Sequence, residues 1–368
     1  MKVKVLIYGA GDRGKLALEL MENEYKTDCD VVGFIDKNKC GEYCGYPIYK
    51  LDDIKWGGGQ AGRIVIALFD FELVKEICQL IKKKGFTDIF WFQYKKEAFH
   101  YDDFFVEQCN NCKNWKDDLM LQTEMHVMDS CNLNCRGCAH FSPIFPDVLP
   151  DLNARLSDVK CLSEKISHIV RFYILGGEPL LNPEISNYIR GIRKILPETQ
   201  LYIVTNGLLI ESLTEDTLQC IKENRIWMSI SEYRPTHNRM DNIRKILDQY
   251  KIFYEIREAL GKEIFNLPFS LSTHSKYPKS CISNGCITIW NGKIARCPQL
   301  MYISSFNSYF GTSLPEEGVL ELNHCPSGEE LLKILKQDVP LCAHCIQNKI
   351  EWSVCGKNAK LEDFAVND

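Results

Sequence analysis

Hydrophobic and polar positions along this chain follow two periods. Short apolar runs rich in Val, Ile, Phe and Tyr, closed by Gly, Asp or Asn, predict strands; stretches with apolar residues every three or four positions predict helices. In the first hundred residues the order is a strand over Lys2–Tyr8, a helix running through Leu16 to Met21, and a strand over Val31–Ile35. A strand over Arg63–Ala67, an amphipathic helix around Leu73–Lys84 and a strand over Asp88–Phe92 follow. This alternation predicts a parallel sheet. Past a polar stretch near residues 95–118 a second series begins, with strands over Met120–Ser130, Arg171–Leu175, Leu201–Thr205 and Ile226–Ser231. Farther on, Ile287–Cys297 reads as a β-hairpin turning on Asn291-Gly292. The chain is therefore expected to be α/β, with chemistry gathered where parallel strands end.

Composition narrows the class. With 368 residues the chain is long enough for two or three domains, and 45% hydrophobic with 25% charged residues suits a globular protein with a large core. A net charge of −5 invites neither nucleic acid nor an anionic membrane. No apolar run is long enough to span a bilayer, and the N-terminus does not read as a signal peptide. The 18 cysteines cluster at metal-type spacings, which points to reduced thiols and a cytoplasmic setting. Cys29, Cys78, Cys161 and Cys220 stand singly in apolar or helical patterns and read as small buried side chains, while Cys109 and Cys112 form a CxxC in the polar stretch.

The sharpest signal is Cys131-Asn-Leu-Asn-Cys135-Arg-Gly-Cys138, three thiols spaced CxxxCxxC at the C-terminal end of the Met120–Ser130 strand. Three close thiolates suit a [4Fe–4S] cube and leave one iron without a protein ligand from this motif. The motif resembles that of radical S-adenosylmethionine (radical SAM) enzymes. In that family three cysteines hold the cube, SAM chelates the fourth iron, and reductive cleavage gives methionine and a 5′-deoxyadenosyl radical that abstracts hydrogen. The resemblance implies a partial (β/α)6 barrel over residues 119–275 and a reducing partner such as flavodoxin or ferredoxin. Where many members carry an aromatic residue before the third cysteine this chain has Gly137, and His140 or Phe141 is then the candidate to stack on adenine.

Further motifs fall in the order the resemblance requires. Gly176-Gly177-Glu178-Pro179 closes the Arg171–Leu175 strand and resembles the family's GGEP segment. Glycines there let backbone approach a ligand, and Glu178 is the favoured partner of the SAM amino group. Thr205 and Asn206 close the next strand, and Ser229 and Ser231 lie on the one after; all four are cofactor-binding candidates. Glu232, Tyr233 and Arg234 follow toward the substrate, with Tyr233, Arg234 and His237 as acid–base candidates.

The first unit, residues 1–95, carries Gly9-Ala-Gly11-Asp-Arg-Gly14 between strand and helix, with Asp36 at the end of the second strand. A helix N-terminus behind such a loop cradles phosphate, and the acid reads a ribose. The unit lacks a second mononucleotide half and resembles the small Rossmann-like domains of surface-polysaccharide enzymes, which implies a sugar nucleotide rather than NAD; a domain that binds nothing and only mediates assembly is the alternative. Residues 96–118 read as a linker.

Residues 276–368 bring Cys281, Cys286, Cys297, Cys325, Cys342, Cys345 and Cys355. The hairpin, the Gly292-to-Cys297 spacing and the Cys342-x-x-Cys345 pair resemble the twitch or SPASM extension of radical SAM enzymes. The resemblance implies one auxiliary [4Fe–4S] cluster on Cys281, Cys297, Cys342 and Cys345, with Cys286 as an alternative to Cys281; a structural zinc on the same four thiolates is the competing reading.

Together these features point to an oxidoreductase or epimerase acting on a carbohydrate or nucleotide sugar, a reading that the resemblance to aminocyclitol dehydrogenases with one auxiliary cluster supports. Cys355 is the candidate hydrogen donor for epimerisation. A peptide-modifying maturase and a non-catalytic zinc- or nucleotide-binding scaffold are the alternatives.

Overall fold

A computed structural model describes residues 2–25, 29–54, 62–95, 103–258, 264–273, 281, 283, 285–356 and 358–366. The chain divides into two compact units, residues 1–117 and 118–368.

The first unit is built from β1 (Val3–Tyr8), α1 (Asp12–Glu19), β2 (Cys29–Ile35), β3 (Gly41–Tyr43), β4 (Tyr46–Tyr49), β5 (Gly62–Ile66), α2 (Phe71–Lys83), β6 (Ile89–Phe92), α3 (Phe104–Glu107) and β7 (Cys109–Asn111). Its sheet runs β3-β4-β2-β1-β5-β6-β7. β1 pairs in parallel with β2 on one side and β5 on the other, so the chain reverses direction across the sheet at β1, above which the glycine loop emerges. Strands this deep read as unbroken apolar runs, and Val5, Ile7, Phe34, Val65 and Phe92 form the core. Asp70 caps α2 by accepting from Leu73 N at 2.8 Å, turning Val74, Ile77, Cys78 and Ile81 inward.

The stretch expected as a linker differs. Residues 96–102 lie outside the described residues, but Asp103 caps α3, Phe104 is fully buried, and β7 closes the sheet as an antiparallel edge against β6. A few apolar residues, Phe104, Phe105 and Val106, suffice to tie this polar-looking segment to the first core, and Cys109 and Cys112 are buried with it.

The second unit contains β8 (Leu119–Met128), α4 (Leu152–Lys165), β9 (His168–Gly176), α5 (Ile185–Ile195), β10 (Gln200–Thr205), α6 (Glu215–Glu223), β11 (Trp227–Glu232), α7 (Arg234–His237), α8 (Met240–Tyr250), β12 (Tyr254–Glu258), β13 (Ile264–Ser270), β14 (Ile287–Trp290), β15 (Lys293–Ala295), α9 (Pro298–Met301), α10 (Ile303–Phe310), β16 (Leu320–Glu321), α11 (Gly328–Lys336), β17 (Cys345–Glu351) and β18 (Ala365–Val366). Strands β8 to β12 are parallel in chain order, each joined to the next through helices that cover the sheet. They place five strand ends on one edge.

Among the described residues no sixth parallel strand follows β12 in this sheet. β13 joins β17 and β18 in a separate three-stranded sheet, and β14 pairs in parallel with β8 on the opposite side. Pro268 explains part of this: it has no N–H for a ladder, and it falls at the register shift between Leu267 and Phe269. The sheet order is accordingly β12-β11-β10-β9-β8-β14-β15-β16, a parallel α/β core with an antiparallel hairpin at one end. The residue 275/276 boundary lies outside the described residues. Among the described residues no helix is long and apolar enough to cross a membrane.

Candidate active site

The cysteine loop leaves β8 through two residues with positive φ, Asn134 and Gly137. Gly137 is required there: a Cβ on it would stand 2.6 Å from the Asn266 carbonyl oxygen of β13. The C-terminal segment holds the loop from behind. Arg136 N donates to Ser353 O at 2.9 Å, Gly137 N to Asp363 O at 2.8 Å, and Cys355 N to Asn134 O at 2.7 Å, while Arg136 pairs with Asp363.

Cys131, Cys135 and Cys138 line one cavity of about 220 Å³. Its other walls are the glycine edge of β9 at Gly176 and Gly177, the ends of β10 and β11 at Thr205, Asn206, Ser231 and Tyr233, then Arg257 and Phe265. Burial pushes the Cys131 thiol up to about 11 and the Cys135 thiol up to about 12. Burial also opposes ionisation of Cys138, but the adjoining His140 outweighs it and holds that thiol below its usual range. His140 is raised to about 10: burial disfavours its charge, and Glu124, 3.1 Å from Nε2, more than compensates. Three soft sulfurs around one cavity, two held protonated by burial and the third eased toward its thiolate by His140, suit a thiophilic iron cluster, which displaces the remaining protons on binding. Among the described residues no three His, Cys, Asp or Glu side chains converge on a single metal-ion position; the thiols surround a volume instead.

The glycines of GGEP serve the backbone. A Cβ on Gly176 would meet Met128 O at 1.9 Å and one on Gly177 would meet Ser130 O at 2.0 Å, because Gly177 N and Glu178 N donate to those same carbonyls. Pro179, buried, begins a single helical turn over Pro179–Leu181. Glu178 does not line the cavity as expected for an amine partner. It is fully buried, and its carboxylate accepts from Thr205 Oγ1 at 2.7 Å, Asn206 N at 2.9 Å and Leu180 N at 3.1 Å. It thereby pins the β10 end, from which Asn206 Nδ2 reaches Asn132 Oδ1 at 2.7 Å. Ser229 is likewise withdrawn, donating to Glu255 Oε1 at 2.7 Å one layer below Ser231.

Burial raises Glu178 to about 7, against the three hydrogen bonds that favour its ionised form. The folded state therefore holds a proton that the unfolded chain has released, so this group's contribution to stability falls as pH rises from about 4.5 to about 7. Glu178→Gln should remove that slope, worth about 3 kcal/mol, when urea unfolding is followed between pH 5 and 8; parallel slopes in the two proteins would refute it.

The four catalytic candidates separate. Tyr233 lines the cavity and stacks on Trp352, ring centroids 5.5 Å apart. Arg234 is exposed and pairs with Glu351 at 3.0 Å, and His237, half exposed, holds Glu232 at 2.7 Å; neither lines the cavity. Cys355 is buried among Phe364 and its neighbours, again off the cavity wall. Of the two candidates for stacking on adenine, His140 lines the cavity, whereas Phe141 is fully buried against Phe269 and Phe306. Arg257, Phe265 and Trp352 were not singled out from the sequence. Arg257 and Phe265 come from strands outside the motifs and Trp352 from just after one, and none carries a local spacing signal.

A second cavity, about 280 Å³, is lined by Cys281, Cys297, Cys342 and Cys345 with Arg296 and Gln299. Burial pushes Cys297 and Cys345 each up to about 12. Arg296, held by Asp338 at 2.7 Å, lies 3.7 Å from Cys342 Sγ. Gln299 Oε1 is buried without a partner. Cys286 does not line this cavity; it sits beside Gln122 of β8. Segment 137–140 borders both cavities, Gly137 and Ala139 on this one and Cys138 and His140 on the first, and Phe265 also lines both.

In the first unit, Gly9 has φ +112 and a Cβ on Gly14 would stand 2.0 Å from Gly9 O, so these two glycines fix the loop on its helix. A Cβ on Gly11 would meet nothing within 4 Å. Asp36, read from sequence as a ribose acceptor, accepts instead from Ala10 N at 3.0 Å, Asn38 N at 2.8 Å and Lys39 N at 2.9 Å. Burial works against its ionisation, and those three donors outweigh it. Its carboxylate closes the glycine loop.

A family model for the radical SAM superfamily matches residues 125–265. The match falls within the second unit, and the cofactors that go with it are a [4Fe–4S] cluster and SAM. The chain is similar to the GTP 3',8-cyclase of Clostridium perfringens (strain SM101 / Type A), 30% identical over 146 residues, covering 38% of this chain and 42% of that protein. It is similar to the GTP 3',8-cyclase of Streptomyces coelicolor at 31% over 131 residues, 33% and 37% of the two chains. The chain spans less than half the length of these curated relatives. Similar solved structures include BtrN in complex with AdoMet and 2-DOIA, 19% identical with a TM-score of 0.40 over 62% of this chain and 94% of that one. Streptococcus suis SuiB bound to S-adenosylmethionine is 15% identical, TM-score 0.32, over 38% and 34%.

Proposed function

We propose that this chain is a radical SAM enzyme that takes a hydrogen atom from a carbohydrate or nucleotide sugar, oxidising or epimerising it. The observation that carries the reading is the convergence of Cys131, Cys135 and Cys138 on one cavity with the glycine edge of β9 and the ends of β10 and β11. The three thiolates hold the cluster. When bound, cluster and SAM supply one-electron cleavage to methionine and a 5′-deoxyadenosyl radical.

The remaining work falls to this chain's own groups. Glu178 and Asn206 fix the strand end that faces the cysteine loop. Tyr233 and Phe265 offer aromatic walls to the ligand, and Arg257 offers a cation for a carboxylate or phosphate. Cys281, Cys297, Cys342 and Cys345 would hold an auxiliary cluster, which would supply one-electron redox chemistry beside the first site. The glycine loop of the first unit, with Gly9, Gly11 and Gly14 at the loop and Asp36 closing it, is assigned to a nucleotide phosphate. A flavodoxin or ferredoxin supplies the reducing electron.

Incubation of the reduced protein with SAM and specifically deuterated sugars, sugar nucleotides or peptides tests this. Deuterium in 5′-deoxyadenosine from a sugar carbon is the expected result. Transfer from a peptide instead would replace the substrate assignment, and no SAM-dependent 5′-deoxyadenosine with any substrate would end the enzyme reading.

A further inference from the structure

Trp352 follows β17 and is buried against the cysteine loop, 8% exposed. Its indole Nε1–H donates to Cys135 Sγ at 3.2 Å, across 217 residues of sequence. The neighbouring residue pairs hold this contact in register: Cys135 bridges Val354 in antiparallel fashion, and Arg136 N donates to Ser353 O. Tyr233 and Leu133 pack the other sides of the indole.

A neutral thiol is a poor acceptor for a buried indole N–H, which ordinarily finds an oxygen when desolvated. A thiolate makes the same contact a charge-assisted hydrogen bond. The sulfur of Cys135 is thus placed to receive this donor in its metal-bound form. We propose that Trp352 is a positioning residue that raises the reduction potential of the cluster held by Cys131, Cys135 and Cys138. An added electron increases negative charge on the ligand sulfurs, and a fixed N–H dipole 3.2 Å away favours the reduced form over the oxidised one. The C-terminal extension then contributes to the first site as well as lining the second.

This inference rests on the assignment of those three cysteines as cluster ligands. Trp352→Phe keeps an aromatic ring, though a smaller one, and removes the N–H. In an anaerobic titration read by electron paramagnetic resonance, with dithionite as reductant, the variant's SAM-site midpoint should move negative. About a tenfold fall in the reduced-to-oxidised ratio at fixed potential is expected, ~59 mV for a one-electron couple. The auxiliary midpoint should not move. Iron-loaded variant protein with an unshifted SAM-site midpoint would overturn the role of Trp352 alone; absence of iron from this site in the unmutated protein would overturn the ligand assignment instead. If the variant fails to load, unmutated protein labelled with ¹⁵N-indole tryptophan decides: coupling of an indole nitrogen to the reduced SAM-site cluster supports the contact, and its absence refutes it.

Discussion

Replacing Cys131, Cys135 and Cys138 together by Ala should abolish SAM-dependent formation of 5′-deoxyadenosine and lower bound iron by about half, leaving a brown protein. Among the described residues the three sulfurs line a single cavity with no fourth cysteine on its wall, so removing them deletes the thiols that line the SAM site. The four cysteines of the second cavity are untouched, and their cluster should remain visible in the absorption and resonance spectra. Iron analysis and product chromatography on the same anaerobic preparation provide the check. Complete loss of iron would mean that the two sites do not load independently. A colourless unmutated protein containing zinc would remove the redox reading altogether.

Gly177→Ala should be severely damaging to folding, costing roughly 4 kcal/mol and lowering the melting temperature by about 10 °C. An added Cβ would sit 2.0 Å from Ser130 O, 2.3 Å from the Ser130 carbonyl carbon and 2.7 Å from Asp129 O. These are backbone atoms at the root of the cysteine loop, so no side chain can swing aside. Relief would require β8 and β9 to part where Gly177 N and Glu178 N donate to Met128 O and Ser130 O. Gly11→Ala is the matched control, because its Cβ meets nothing within 4 Å and its φ of −131 suits any residue; its melting temperature should stay within about 2 °C. Similar losses in both variants would show that close backbone approach is not what the GGEP glycines provide.

The parts of the site written in consecutive residues were legible beforehand. The CxxxCxxC spacing and the Gly-Gly-Glu-Pro end of β9 are local, and parallel strands bring their C-terminal ends together whatever the details of packing. Orientation was harder to read. Glu178 lies at a strand end and Ser229 on a strand as expected, yet a carboxylate buried beside Thr205 and Asn206 is set by how far β9 and β10 are staggered, which sequence spacing does not encode. Asp36 was read as a ligand acceptor because it follows β2, but three backbone donors of its own loop reach it first. Trp352, Phe265 and Arg257 arrive from just beyond β17, from β13 and from β12, and only the tertiary fold joins them to the cysteines. The segment read as a linker was misjudged for an energetic reason: Phe104 and its neighbours bury enough apolar surface to hold an otherwise polar stretch on the first sheet.

Segment 137–140 gives its residues alternately to two cavities. Its length is therefore constrained from both sides. Inserting one residue before Cys138 would offer that thiol to the wrong cavity and push a side chain where Asn266 O now touches Gly137, so two sites would fail from one change. Drift in this loop is open to exchange of residues but closed to any change in their number, and the two halves of the chemistry are inherited as a single unit.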